Sequence, residues 1–154
     1  MSTRSSPLLD ETSKRIVEHL QADGRRSYAG IAADVGLSEA AVRQRVARLL
    51  EAGVMQIVAV TDPLQVGFPR QAMVGVRCSG DTTEVAAALA ELSEVTYVVV
   101  TAGTFDVLLE VVCEDDDRLL DLLSRRIRAV PGVTSTETLV YLKLIKQRYD
   151  WGTR

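Results

Sequence analysis

The sequence has 154 residues, of which 47% are hydrophobic and 25% charged, a balance that is typical of folded globular domains. It contains no apolar run near the roughly 20 residues that cross a bilayer, and its first seven residues lack the apolar core of a signal peptide, so we expect a cytoplasmic protein. The net charge of −3 is unevenly divided, because residues 1–61 carry 8 basic and 7 acidic side chains and residues 62–154 carry 10 and 14. Any surface that binds nucleic acid must therefore be local.

The first part of the chain has the apolar spacing of helices. A first helix is predicted over residues 8–21, and the pair Asp23-Gly24 is expected to end it through a left-handed exit. Ser27 is a good N-cap for a second, short helix. Gly36 breaks this second helix.

A third helix follows at once and completes a helix-turn-helix, which we place at about residues 27–53. Ser38 caps the third helix and Gly53 ends it. The connection over residues 35–38 has the length of a helix-turn-helix turn, which often contains a glycine. We expect Gly36 to supply a positive φ there and Leu37 to fill the gap between the two helices.

The faces of the third helix follow from its period of about 100° per residue. Val42, Val46 and Leu49 form the apolar stripe, so Gln44 points outward with small and basic residues beside it. Arginine and glutamine are the side chains that bind guanine and adenine through two hydrogen bonds. The residues predicted to contact DNA are Arg25, Ser38, Glu39, Ala40, Arg43, Gln44, Arg45 and Arg48. The alternative is a plain solvated face, and for Arg25 and Arg26 this alternative is about equally favoured.

The second part of the chain alternates between strand and helix patterns. Residues 56–61 are a short β-prone run at the start of a linker over residues 56–69. Strands are then predicted at residues 71–78, 95–101, 106–113 and 135–146, and helices at residues 82–92 and 115–130. This β-α-β-β-α-β order predicts a ferredoxin-like domain, and the chain as a whole is of the α+β class.

The predicted strands are apolar on both of their faces. The residues of 71–78 alternate so that Val74 and Val76 share one side while Met73 lies on the other, and Leu108 gives the third strand a second apolar side as well. A sheet with helices on one side normally has a polar opposite side. We therefore expect a second subunit to cover this face, the alternative being an unusually apolar surface.

The chain offers little catalytic or metal-binding chemistry. Cys78 and Cys113 are too few for a disulfide framework, their spacing matches no metal motif, and the predicted topology places them at opposite ends of neighbouring strands. His19 is the only histidine and has no evident catalytic partner. We therefore expect no enzyme, cofactor or metal site, and interpret both cysteines as small core residues.

The order and spacing of many short motifs make the sequence similar to one family, the Lrp/AsnC or feast/famine regulators, over roughly residues 8–146. The motifs are Leu9-Asp10, Asp23-Gly24-Arg25, Ile31-Ala32, Gly36-Leu37-Ser38, Val42, Arg45-Val46, Leu49, Gly53-Val54, the run from Val100 to Asp106, Pro131-Gly132-Val133, Thr136-Glu137-Thr138 and Lys143. The resemblance implies a DNA-reading domain, a β-linker and a βαββαβ domain that senses a ligand and oligomerises. We place the DNA-reading domain at residues 8–55, the β-linker at residues 56–69 and the βαββαβ domain at residues 70–148. Arg45 matches the arginine of the family's recognition helix, and its position on a flank leaves phosphate binding and bracing as alternatives.

The resemblance also implies dimers that often assemble into octamers, and an amino acid or related metabolite bound between neighbouring subunits. The effector residues that we predict on this basis are Gly103, Thr104, Phe105, Asp106, Thr136 and Thr138. The alternative is an ordinary β-hairpin turn without a ligand. Thr104 stands where many members of the family have aspartate, so an effector other than an α-amino acid, or none, stays open.

The function predicted from the sequence is therefore a sequence-specific transcription regulator that binds double-stranded DNA. One alternative is an architectural protein that coats DNA without an effector, since the same arginines would serve it. Another is a metabolite-binding module whose helix-turn-helix mediates protein contacts.

Overall fold

The computed structural model describes residues 9–154, and the chain in it divides into two compact units. One unit reaches up to Val60 and takes in Lys146–Arg154 as well, and the other is Thr61–Ile145. Leu8, the predicted start of the first helix and of the first domain, lies outside the described residues. Within residues 9–154, no helix is both long and apolar enough to cross a membrane.

From residue 9 onward, the first unit contains three helices. They are α1 (Glu11–Ala22), α2 (Tyr28–Val35) and α3 (Glu39–Glu51). The predicted N-caps are confirmed, because the side chains of Ser27 and Ser38 accept hydrogen bonds from backbone N–H groups of the first turns of α2 and α3. Gly36, with φ of 73°, ends α2 in the left-handed conformation as predicted, and Gly53 has φ of 66°.

The end of α1 differs from the prediction. Gly24 does not have a positive φ, and Asp23 is instead the C-cap, in an extended conformation with φ of −149°. The Asp23 carboxylate accepts a hydrogen bond of 2.9 Å from the backbone N–H of Arg25. This Asx turn reverses the chain, so a left-handed glycine is unnecessary.

The core of the first unit is small and aliphatic. Ile16, Ile31, Val42 and Val46 are all at most 1% exposed, and Leu37 packs against them from the turn as predicted. Burying an aliphatic side chain of this size contributes about 1.5–3 kcal/mol. These contacts join α1, α2 and α3 and set the direction in which α3 presents its outer face.

The second unit has the predicted ferredoxin-like fold, an antiparallel sheet in the order β2-β3-β1-β4 with two helical segments. The strands are β1 (Arg70–Cys78), β2 (Val95–Val100), β3 (Val107–Cys113) and β4 (Val133–Val140). The helical segments are α4 (Thr82–Ala90) and α5 (Asp116–Asp121), and α5 continues as a π-helical turn over Leu122–Ile127.

Two segments predicted as strand are not part of the sheet. Residues 56–61 are irregular and lead into a 3-10 turn at Pro63–Val66, and β4 ends at Val140 instead of continuing to residue 146. A strand needs a neighbour to pair its backbone groups. Beyond the Tyr141 N–H, which donates to the Gln71 carbonyl at 2.9 Å, the described chain supplies none for either segment. The prediction of strand for these two segments is therefore wrong, because residue type favours an extended backbone there but pairing is a tertiary property.

Helices α4 and α5 cover one face of the sheet. Val74, Val76 and Leu109 are fully buried there, against Leu89 and Leu122. Both cysteines are free and end their strands at opposite ends of the β1–β3 pair; Cys113 is buried and Cys78 half-buried. Their predicted placement is confirmed.

We call the other side of the sheet the open face. It consists of Gln71, Met73, Gly75, Tyr97, Val99, Leu108, Glu110, Val112, Glu137, Leu139 and Tyr141. Tyr97 and Leu139 are more than half exposed, while Leu108 and Val112 are half-buried. This mostly apolar surface matches the alternation seen in the sequence.

Candidate nucleic-acid interface and effector site

The outer face of α3 is the one predicted from its period. Val42, Val46 and Leu49 are buried, so Gln44 and Arg48 are turned to solvent. Ala40 and Ala47 lie on this same exposed face. We call Ala40, Gln44, Ala47 and Arg48 the reading face. Its small side chains leave the amide and the guanidinium accessible, which suits close approach to base edges.

Arg43 lies beside the reading face and is held by two neighbours. Its guanidinium donates a hydrogen bond of 2.6 Å to the Glu39 carboxylate one turn earlier. The same group lies over the ring of Tyr28, 5.3 Å from the ring centre. Glu39 therefore offsets the charge of Arg43, and Tyr28 from α2 limits where this side chain points.

Arg45 is bound inside the unit. Its guanidinium lies 2.7 Å from one oxygen of Asp10 and 2.9 Å from the other, and it also donates to the hydroxyl of Ser13 at 2.9 Å. Asp10 is at the same time the N-cap of α1. The backbone N–H of Ser13, and then the Arg45 guanidinium, lower the pKa of Asp10 to about 2. The contacts of Arg45 thus match the bracing role, since they tie α3 to the start of α1.

The remaining predicted residues of this interface differ in how they are held. Arg25 and Arg48 are exposed, and neither side chain has an ion-pair partner among residues 9–154. The Ser38 hydroxyl accepts from the backbone N–H of Ala41 at 3.2 Å. Arg26, in contrast, is paired with Asp34, so it is committed within the unit.

The loop at residues 101–106 connects β2 to β3 as a hairpin. The backbone N–H of Thr101 donates to the Asp106 carbonyl at 2.8 Å, and the Thr101 hydroxyl donates to the Phe105 carbonyl at 2.6 Å. The Asp106 carboxylate accepts a hydrogen bond of 2.7 Å from the backbone N–H of Cys78. One oxygen of Asp106, a predicted effector residue, is therefore engaged in joining this loop to the end of β1.

Phe105 attaches the loop to the open face. Its ring lies over Gly75, where a Cβ atom would come within 2.6–2.7 Å of three ring atoms. Arg77 lies on the ring with its guanidinium carbon 4.9 Å from the ring centre, and its Nε donates to the Thr104 carbonyl at 3.0 Å. Gly75 and Arg77 were missed as site residues, although a glycine inside a strand pattern is a signal of close approach.

Thr136 and Thr138 lie on the opposite side of the sheet from Phe105. They pair with Val76 and Val74, which face the helices, whereas Gly75 pairs with Glu137. Paired residues of antiparallel strands share a face. A single chain therefore does not bring the six predicted effector residues together.

Two details concern the effector prediction directly. Gly103 is exposed, has no positive φ, and a Cβ there would have no atom within 4 Å, so the isolated loop does not require a glycine. Arg128 donates to the hydroxyl of Thr136 at 3.3 Å.

Among residues 9–154, no group of histidine, cysteine and carboxylate side chains is arranged to hold a metal ion.

Comparisons with known proteins find two family models along the chain, and the second extends past Ile145 into the last residues of the first unit. The family model of the AsnC-type helix-turn-helix domain matches residues 9–50, and that of the Lrp/AsnC ligand binding domain matches residues 71–151. An uncharacterised HTH-type transcriptional regulator of Pyrococcus furiosus is 35% identical over 94% of this chain and 97% of its own length.

Solved structures are similar over nearly the whole chain. The leucine response regulatory protein LrpA of Mycobacterium tuberculosis has a TM-score of 0.82 and 31% identity, over 90% of this chain and 96% of its own. A transcriptional regulator of Neisseria meningitidis, solved as a complex with L-Met, has a TM-score of 0.79 and 27% identity, over 92% of this chain and 95% of its own.

Proposed function

Because the chain belongs to the Lrp/AsnC family of transcriptional regulators, we propose that it binds discrete DNA sites as a symmetric oligomer whose affinity for DNA responds to a small metabolite. The family consists of regulators with a helix-turn-helix and a ligand-binding domain, so the chain is not an enzyme. The specific DNA site, the oligomer and the effector are the proposed parts.

The observation that carries the DNA-reading proposal is the arrangement of α3. Gln44 and Arg48 are exposed beside Ala40 and Ala47, and Arg45 braces the helix against Asp10. A rigid helix whose outer face carries accessible polar side chains can enter the major groove. Arg25 and Arg43 then lie in the unit as candidates for phosphate contacts.

The low net charge of the helix-turn-helix unit favours DNA binding by paired subunits. The first 61 residues have a net charge of only +1, so a single reading unit would bind DNA weakly. Two units joined through their sheet domains would engage two half-sites together, and the second contact would form at a high effective concentration. We propose that the open face forms this dimer and that dimers assemble further, in the direction of an octamer.

For the effector we propose an amino acid or a related small metabolite, bound between subunits. The Neisseria regulator with L-Met is a relative that binds such a molecule. The loop with Phe105 and the pair Thr136 and Thr138 lie on opposite sides of one sheet. A site that used both would have to combine two chains, which is consistent with a ligand that acts on assembly.

DNA-reading is tested with the DNA upstream of the protein's own coding sequence. Gln44→Ala and Arg48→Ala should each weaken binding by about fivefold or more, because a bidentate base contact contributes about 1–3 kcal/mol. Arg125→Ala is the matched control, since Arg125 is an exposed arginine of the sheet unit. Undiminished binding by both α3 variants would refute the assignment of the reading face.

Footprinting separates this proposal from the architectural alternative. A specific dimer should protect two half-sites about one helical turn apart. A uniform pattern of protection that weakens equally everywhere with salt would favour a DNA-coating protein instead.

The oligomer is tested by sedimentation of two charge substitutions. Leu139→Glu places a carboxylate on the open face, and Leu120→Glu is the matched control, with a carboxylate at a leucine on α5 that is also more than half exposed. We expect Leu139→Glu alone to give monomers. Dimers of unchanged stability in that variant would show that the open face is not the dimer interface.

A further inference from the structure

The last nine residues belong to the first compact unit although the whole sheet domain separates them from it in sequence. Lys146–Arg154 group with the residues up to Val60, and the second unit ends at Ile145. The chain thus enters the sheet unit once and returns from it once.

The returning segment is hydrogen-bonded to α1. The backbone N–H of Gly152 donates to the Gln21 side-chain oxygen at 3.0 Å, and the Gln21 amide nitrogen donates to the Gly152 carbonyl at 3.5 Å. The Thr153 hydroxyl donates to the Glu18 carboxylate at 2.6 Å. One primary amide therefore binds both polar backbone groups of a single residue, as a neighbouring strand would.

Gly152 adopts the backbone conformation that this pairing uses. Its φ is 75°, in the left-handed region, and a Cβ atom there would meet nothing within 4 Å. The space around Gly152 is open, so the only requirement for a glycine is the backbone.

Aromatic side chains place the segment along an apolar groove of the same unit. Tyr149 and Trp151 line this groove together with Leu20 of α1 and Ile57 of the irregular stretch that follows α3. The two aromatic rings lie with centroids 6.5 Å apart. The groove thus joins the end of α1, the start of the linker and the returning segment.

The segment also changes the charge of the unit. Residues 1–60 carry 8 basic and 7 acidic side chains; with residues 146–154 the unit has 11 basic and 8 acidic ones. Its net charge rises from +1 to +3, and the sheet unit is left with a net charge of −6. The positive potential expected of a unit that approaches DNA depends in part on this segment.

We propose that residues 146–154 are a latch. They dock on α1 and complete the apolar groove of the helix-turn-helix unit, and through them the unit is connected to the end of β4 as well as, through the linker, to the start of β1. β4 ends at Val140, and the latch begins six residues later. A displacement of β4, which carries Thr136 and Thr138, is thereby transmitted to α1 through Gln21. This transmission rests on the proposed effector-responsive DNA binding, whereas the latch itself does not.

The latch is tested on the full-length protein by amide hydrogen exchange without DNA. Gln21→Ala removes the side chain that binds Gly152, and Gly152→Ala strains the backbone without a steric clash. Both should raise exchange at least tenfold in peptides from residues 146–154 and from the end of α1. Gln147→Ala is the matched control, an exposed amide of the same segment, and should leave exchange unchanged. Wild-type rates in both latch variants would overturn the proposal.

A mixing experiment tests whether the latch closes within one chain. In mixed oligomers of Gln21→Ala and Gly152→Ala subunits, a latch within each chain stays open everywhere. Recovery of slow exchange on mixing would show that the segment docks on a partner subunit's α1, and would overturn the latch within one chain.

The transmission is tested by binding to the upstream DNA. We expect both latch variants to bind at least threefold more weakly than the Gln147→Ala control. Faster exchange with unchanged DNA binding would refute the transmission and leave the latch standing. If the wild-type protein does not bind this DNA specifically, the proposed function fails, while the exchange result still decides the latch.

Discussion

Replacing Gly75 by alanine tests how the loop at residues 101–106 is attached to the sheet. The added Cβ would lie 2.6–2.7 Å from three atoms of the Phe105 ring, while carbon atoms in contact prefer about 3.5–4.0 Å. The ring would have to move by about 1 Å. That movement would disturb the stacking of Arg77 on the ring and its hydrogen bond to the Thr104 carbonyl.

The expected cost follows from overpacking, which typically destabilises a protein by about 1–3 kcal/mol. For a unit the size of Thr61–Ile145, this loss corresponds to a fall in melting temperature of roughly 5–20 °C. Urea unfolding followed by circular dichroism measures the free energy of unfolding directly. Gly103→Ala is the control, because a Cβ there meets nothing within 4 Å and the φ is ordinary, so its effect should stay within about 0.5 kcal/mol.

A double-mutant cycle identifies the cause. If the ring of Phe105 is what Gly75 accommodates, Gly75→Ala should cost much less in a Phe105→Ala background. Equal stability of Gly75→Ala and Gly103→Ala, or an unchanged cost in that background, would refute the reasoning.

Three further predictions concern single positions. The backbone N–H of Ser13 and the Arg45 guanidinium lower the pKa of Asp10 from 3.8 to about 2. The Asp10 carboxylate therefore contributes stability above about pH 4, and this contribution is lost as the pH falls through 2. An NMR titration of Asp10 with a midpoint near 4 would contradict this. Gly36→Ala should destabilise the first unit by about 1–2 kcal/mol in thermal unfolding. The reason is the φ of 73° at Gly36, since a Cβ atom there would meet nothing within 4 Å. A neutral effect would refute that explanation. Burial raises the pKa of the Cys113 thiol, so alkylation at pH 8 should be much slower in the native protein than in urea, and equal rates would show that Cys113 is accessible.

Local patterns were sufficient to predict most of the architecture. The buried stripe of α3, the caps at Ser27 and Ser38, and the alternation of β1 depend on residues within a few positions of each other. Helical and extended periods are properties of the backbone, so the side of each element that becomes buried is encoded locally. The order of these elements then led to the ferredoxin-like sheet, since few topologies accommodate it.

Pairing decided what the local patterns left open. Residues 56–61 have β-prone side chains but no neighbouring strand in the described chain, and Gly24 is not left-handed because Asp23 already forms the turn. A backbone conformation with several local solutions is selected by the hydrogen bonds that are available to it.

The roles of individual site residues depended most on tertiary structure. Arg45 contacts Asp10 from 35 positions away, and Gln21 contacts Gly152 from 131 positions away. The sequence by itself determined the faces of the helices and strands and the family to which they point. Only the folded chain determined which arginines remain available for DNA and which end of the chain closes the reading unit, because contacts between distant residues form only when the elements pack.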